Sequence, residues 1–165
     1  MRRTVIGVMG GSVADERTMA FAEELGRRIA EAGWVLLNGG RPTGVMDASA
    51  RGAREAGGLT VGVLFDDAFE DASEHLEVVI PTGMGAGRNV INILSSDVVV
   101  ACRGNGGTLS EIAMALRFRK PVVLLDFDPG AAFLDACGEG EWSLAADPAE
   151  AVEQVKARLE RSKGN

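Results

Sequence analysis

At 165 residues, 46% of them hydrophobic, the chain can bury roughly 70% of its unfolded surface in one core, which argues against disorder and for a single domain over residues 1–165. A formal charge of −7 argues against a nucleic-acid binder or a membrane-surface protein, since both rely on a basic face. No run approaches the ~18 apolar residues of a membrane span, and the two cysteines, Cys102 and Cys137, lack framework spacing and fit a reducing cytoplasm.

Short apolar runs then alternate with helical patterns. Strands are expected at Thr4–Met9, Trp34–Asn38, Leu59–Leu64, Glu77–Ile80, Asp97–Ala101 and Pro121–Leu125, with a weaker one at Trp142–Ala145. The first mimics a signal peptide for a few residues, until Gly10, Gly11, Asp15 and Glu16 end its apolar stretch. Several runs are nearly continuous in Val, Ile and Leu, as parallel strands covered on both faces require.

Helices fill the intervals. In the first, Ala22, Leu25, Gly26 and Ile29 form a core stripe. The second, from about Val45 to Ala56, has a small-residue face of Ala48, Gly52 and Ala56 suited to close packing. A third starts around Gly87, a fourth at Thr108, and a short one covers Ala131–Ala136. The last begins at Asp147-Pro148, with Glu150 completing a capping box. This alternation predicts a doubly wound α/β sandwich of six or seven mostly parallel strands flanked by helices. FDDAFEDASEH (65–75) is left as an acidic, irregular loop.

The 22 glycines are about twice the usual ~7% share and cluster between the periodic segments. Four glycine-bearing loops follow strands: GGS (10–12), NGGRPTG (38–44), PTGMGAGRN (81–89) and RGNGGT (103–108). All four therefore open on the carboxyl edge of the sheet, where such folds bind ligands. None is a standard nucleotide loop. GGRPTGVM has P-loop glycine spacing, but Val45 and Met46 replace the Lys and Ser/Thr that hold phosphate and Mg²⁺. Asn38 stands where a dinucleotide fold puts an acid on the ribose, which argues against an NAD enzyme.

Three arginines, Arg41, Arg88 and Arg103, lie in or beside these loops of an otherwise acidic chain. Arg88 falls in the first turn of its helix, where a cation opposes the helix dipole. A bound anion or a carboxylate partner would relieve that cost; the alternative is a side chain snorkelling to solvent. Thr108 followed by Glu111 reads equally as a capping box or as part of a site.

The segment from Gly83 to Leu125, with GVMGGS and NGGRPTGVMDASARGA upstream, resembles the Lonely Guy (LOG) superfamily of Rossmann-like proteins, many once labelled lysine decarboxylases. Its enzymes carry PGGxGTxxE, and upstream an arginine in the context R-K-x-x-M-x-x-x-S-D. Here Arg88 leads to Ser96-Asp97 at that spacing, and RGNGGTLSE ends on Glu111 at the family distance. The resemblance implies hydrolysis of the N-glycosidic bond of nucleoside 5′-monophosphates, releasing free base and ribose 5-phosphate. Arg88 and Glu111 would then act as catalytic residues on a developing oxocarbenium ion and a water, work that carboxylates commonly do.

Other positions depart from the enzymes. Arg103 stands where they have proline, Asn105 where they have glycine and Asn89 where they have lysine, and MGAGRN lacks the polar residues of their M-H-x-R-K form. In these respects the chain is more similar to the branch of molybdenum-cofactor carrier proteins. That resemblance implies an anionic phosphorylated pterin bound on the same edge of the sheet, and a homodimer or homotetramer.

The decarboxylase label fails on the lysines. A pyridoxal-phosphate enzyme needs a Schiff-base lysine. Lys120 precedes a strand at the wrong edge, and Lys156 and Lys163 sit in or after the last helix. A metal enzyme is not expected, because His75 is the only histidine and the cysteines lie far apart. No G-x-S-x-G elbow supports a serine hydrolase. The expected site gathers Gly11, Ser12, Gly40, Arg41, Gly44, Arg88, Gly106, Gly107, Thr108 and Glu111 around a small phosphorylated ligand, a nucleoside monophosphate or the molybdenum cofactor, with no further cofactor required. Three readings stay open: a carrier, a phosphoribohydrolase, and a regulatory protein with a vestigial pocket.

Overall fold

Valine-, isoleucine- and leucine-rich runs favour strands wherever both faces can be covered. In the computed structural model, which describes residues 1–163, the seven runs become β1 (Val5–Met9), β2 (Val35–Asn38), β3 (Thr60–Leu64), β4 (Val78–Pro81), β5 (Val98–Ala101), β6 (Val122–Leu125) and β7 (Trp142–Ala145). They form one sheet in the order β4-β3-β2-β1-β5-β6-β7. Every pairing in it is parallel.

The helices are α1 (Glu16–Glu31), α2 (Gly44–Glu55), α3 (Arg88–Ser95), α4 (Gly106–Arg117), α5 (Ala131–Cys137) and α6 (Pro148–Lys163), with a 3₁₀ turn at Gly85–Gly87 before α3. Alternate strand residues serve two cores. Ile6, Val8, Val98, Val100, Val123 and Leu125 share one cluster with α1, α2 and α6 residues such as Leu25, Val45 and Val152. Met9, Val99, Ala101, Val122 and Leu124 share the other with Ile93, Ile112 and Leu134 of α3, α4 and α5. Each buried Val, Leu, Ile or Met side chain among these stabilises the fold by about 1.5–3 kcal/mol. This doubly wound, Rossmann-like α/β sandwich is the fold expected from the sequence.

Local signals fix several helix starts. Asp15 Oδ1 accepts the Thr18 N–H at 2.8 Å, and Asp147 Oδ1 accepts that of Glu150 at 2.9 Å. Glu150 reaches back to the Ala146 N–H at 2.8 Å. Between α1 and α2 the backbones meet at Gly26 and Gly52; a Cβ on either would overlap the carbonyl of Ser49 or Glu23. Lys120, at the amino edge of the sheet, donates from Nζ to the Leu94 and Ser96 carbonyls at 3.1 and 2.8 Å. Among the described residues no helix is long and apolar enough to cross a membrane.

Candidate functional site

The strand order reverses between β1 and β5, so their carboxyl ends diverge and open a crevice. A cavity of about 310 Å³ lies there, at the small end of the range for ligand pockets. The loops after β1, β2, β3 and β5 and the start of α3 line it.

These loops are locked to one another by backbone bonds. The Gly11 N–H donates to the Arg103 carbonyl at 3.1 Å, and the Val45 N–H to the Gly11 carbonyl at 3.0 Å. Gly44 has φ +58, and a Cβ there would overlap the Gly11 carbonyl, so only glycine fits. Asn38, fully buried, organises the loop after β2. Its Nδ2 donates to Met46 O (2.9 Å) and Ser49 Oγ (3.1 Å), and its Oδ1 accepts the Gly40 N–H (2.8 Å).

α4 starts differently from the sequence expectation. The helix begins at Gly106, two residues before Thr108, with Asn105 in the N-cap position and no side-chain cap bond. Thr108 and Glu111 therefore form no capping box. That spacing marks a helix start only to within a turn. The first helical bond runs from Leu109 N–H to Asn105 O at 3.0 Å. The amides of Gly106, Gly107 and Thr108 are left without an intrahelical acceptor, at the positive end of the helix dipole.

Released from a capping role, Glu111 is only 9% exposed, and its carboxyl makes no hydrogen bond among the described residues. Burial pushes its carboxyl up to about 7, and the nearby Arg88 charge offsets only part of that rise. A carboxyl that exchanges its proton near neutral pH, facing a cavity, is suited to general acid–base work.

Arg88 does not snorkel. Half-buried, it donates from Nη1 to the Gly39 and Val63 carbonyls, both at 2.6 Å, and from Nε to Asn89 Oδ1 at 2.7 Å. These acceptors at the ends of β2 and β3 hold the cation against the α3 dipole. Burial lowers its pKa, the Glu111 and Asp66 charges raise it, and Arg41 lowers it. Arg41 pairs with Asp66 at 2.9 Å and approaches Asp71 at 3.8 Å, so the acidic loop after β3 folds over the cleft's cation. Both guanidiniums lie over the Phe65 ring, Arg41 at 4.6 Å and Arg88 at 5.5 Å from its centroid. Arg103 is exposed and does not line this cavity.

Seven of the ten expected site residues border the cavity: Gly11, Ser12, Arg41, Arg88, Gly107, Thr108 and Glu111. Gly40, Gly44 and Gly106 do not. The first two shape the loops behind it, at φ +77 and +58, and Gly106 opens the helix on an exposed surface. Thr43 and Phe65, which also line the cavity, are not among the expected site residues, and the sequence offered Met46, Asn89 and Asn105 only as departures from motifs. Phe65 had one available signal, its place at the end of a strand directly before an acidic loop.

The model of the SLOG cluster4 family matches residues 3–155. The solved molybdenum cofactor binding protein from the phototrophic bacterium Rippkaea orientalis is 43% identical, with a TM-score of 0.91 over 96% of this chain and 99% of that one. The molybdenum cofactor carrier protein of Chlamydomonas reinhardtii is also 43% identical, with a TM-score of 0.88 over the same shares. A cytokinin riboside 5′-monophosphate phosphoribohydrolase of Mycobacterium tuberculosis is 31% identical over 131 residues, 74% of this chain and 70% of that protein. Fold, glycine loops and relatives agree with the resemblance drawn from the motifs, and the chain belongs to the SLOG cluster4 family.

Proposed function

We propose that this protein is a carrier that binds an anionic phosphorylated ligand at the carboxyl edge of its sheet, with the molybdenum cofactor as the leading cargo. The observation that carries this reading is the start of α4, where Gly107 and Thr108, whose amides have no intrahelical acceptor, line a cleft with no acidic residue in the helix's first turn. Likeness to two molybdenum-cofactor binding proteins over almost the whole chain supports the choice of cargo. In the cleft, the Gly107 and Thr108 amides and the Ser12 hydroxyl would take the phosphate. Anaerobic titration with the purified cofactor checks this: saturable one-to-one binding without turnover is expected, and no binding at micromolar concentration would overturn it.

Glu111 favours a second reading. Its raised pKa beside Arg88, at the family's motif positions, suits hydrolysis of a nucleoside 5′-monophosphate, and a phosphoribohydrolase is among the relatives. On that reading wild-type protein releases free base from AMP or a related monophosphate, and Glu111→Gln lowers the rate about 10²-fold or more while ligand still binds. On the carrier reading, chromatography of the same reactions shows no base from either protein.

We also propose a homodimer or homotetramer, as the resemblance to the carrier branch implies. Leu94 on α3 and Phe118 after α4 are 52% and 42% exposed and offer apolar contact. Light scattering at the monomer mass of 17.3 kDa would overturn that assembly.

A further inference from the structure

The two ends of the cleft differ in what they leave unsatisfied. At the α4 end, the amides of Gly106, Gly107 and Thr108 lack intrahelical acceptors, and the Asn105 side chain makes no cap bond. At the other end the charges are already answered. Arg41 is ion-paired with Asp66 at 2.9 Å, and Arg88 Nη1 donates to two carbonyls. A phosphate gains most where the donors are free, which is the α4 end.

What distinguishes the second end is its planar groups. Phe65 is the one aromatic side chain among those lining the cavity, and it is half-buried. Its ring is held by guanidiniums at 4.6 and 5.5 Å, and both of those planes belong to cavity-lining residues. Aromatic rings and guanidinium planes stack on planar heterocycles whatever the hydrogen-bonding pattern of the ring.

We propose that Phe65, fixed by Arg41 and Arg88, is the specificity-determining wall of the cleft: the fused-ring heterocycle of a phosphorylated ligand lies against it while the phosphate occupies the start of α4. This rests on the phosphorylated-ligand reading above and adds the orientation of the ligand and the class of its non-phosphate part. Purine and pterin share the needed chemistry, and the test separates them.

Calorimetric titration of the full chain with AMP, with the molybdenum cofactor under anaerobic conditions, and with ribose 5-phosphate as a ringless probe decides it. Wild-type protein is expected to bind at least one ringed ligand tenfold or more tighter than ribose 5-phosphate. Phe65→Leu should lose about tenfold toward that ligand and keep its affinity for ribose 5-phosphate, and Phe65→Tyr should restore the preference. The ringed ligand that loses affinity identifies the source. Equal weakening of all three ligands by Phe65→Leu, or of none, overturns the proposal. So does a wild-type protein that binds ribose 5-phosphate as tightly as both ringed ligands, a result that leaves the phosphorylated-ligand reading standing. Wild-type protein that binds none of the three overturns both.

Discussion

Two regions of this molecule are rich in small residues for opposite reasons. In the seam between α1 and α2, Gly26 and Gly52 let two backbones touch, and any side chain there would strike a carbonyl. At the start of α4, a Cβ on Gly106 or Gly107 would meet nothing within 4 Å. The seam also ties its rim together, with Arg51 donating to Glu23 at 2.7 Å. The cleft holds a buried carboxyl with no hydrogen bond and an arginine whose pKa is lowered by burial. Packing explains the first region and leaves the second unexplained. Residues that a fold keeps at a cost to stability point to function.

If that contrast is right, Gly52→Ala should give the largest effect. Forcing a methyl group into the Glu23 backbone is expected to cost about 3 kcal/mol, read as a lower urea midpoint and a melting temperature lower by roughly 6–12 °C. A loss below about 1 kcal/mol would mean that the seam yields easily, and the contrast would break.

Glu111→Gln should act in the opposite direction and only at higher pH. The folded carboxyl titrates near 7, against 4.5 for its unperturbed value, so the native state keeps a proton that the unfolded chain releases in that window. Stability from this group is full below about pH 4.5 and is lost as pH rises through about 7, by about 3 kcal/mol in total. The glutamine variant should therefore match wild type in urea unfolding at pH 5 and exceed it by about 2 kcal/mol at pH 8. A variant less stable than wild type at pH 8 would show that the charged carboxylate is well satisfied.

Gly107→Ala sharpens the comparison most finely. With open space around it and a helical position, alanine should raise stability by about 0.5–1 kcal/mol. Affinity for ribose 5-phosphate should fall about tenfold, because the methyl group crowds the amides offered to phosphate. Calorimetry and thermal melts on one sample test both halves. A destabilised Gly107→Ala protein would mean that this glycine, too, serves packing.

How much of this was legible in the chain depended on range. Asp147 announced its helix because a cap bond spans three residues. The Thr108–Glu111 spacing gave a helix start correct to within a turn and left cap and site equally open for both residues, and the fold removes the cap. Gly11, Ser12, Arg41, Arg88, Gly107, Thr108 and Glu111 could be gathered on one edge because loops after parallel strands must open together. Phe65 could not, because its place after a strand and before an acidic loop does not tell a cavity-lining aromatic from a loop one.

The sequence by itself determined the seven strands, the sheet covered on both faces and the edge at which the glycine loops open, because hydrophobic periodicity and capping act over a few residues. Only the tertiary structure decided how the charges in the cleft are spent. Arg88 meets carbonyls 49 and 25 residues away, and Arg41 meets a carboxylate 25 residues away. The proton on Glu111 depends on a burial that no segment creates alone. Charge state and side-chain orientation follow from the sum of distant neighbours and the water they exclude, and that sum exists only once the chain has folded.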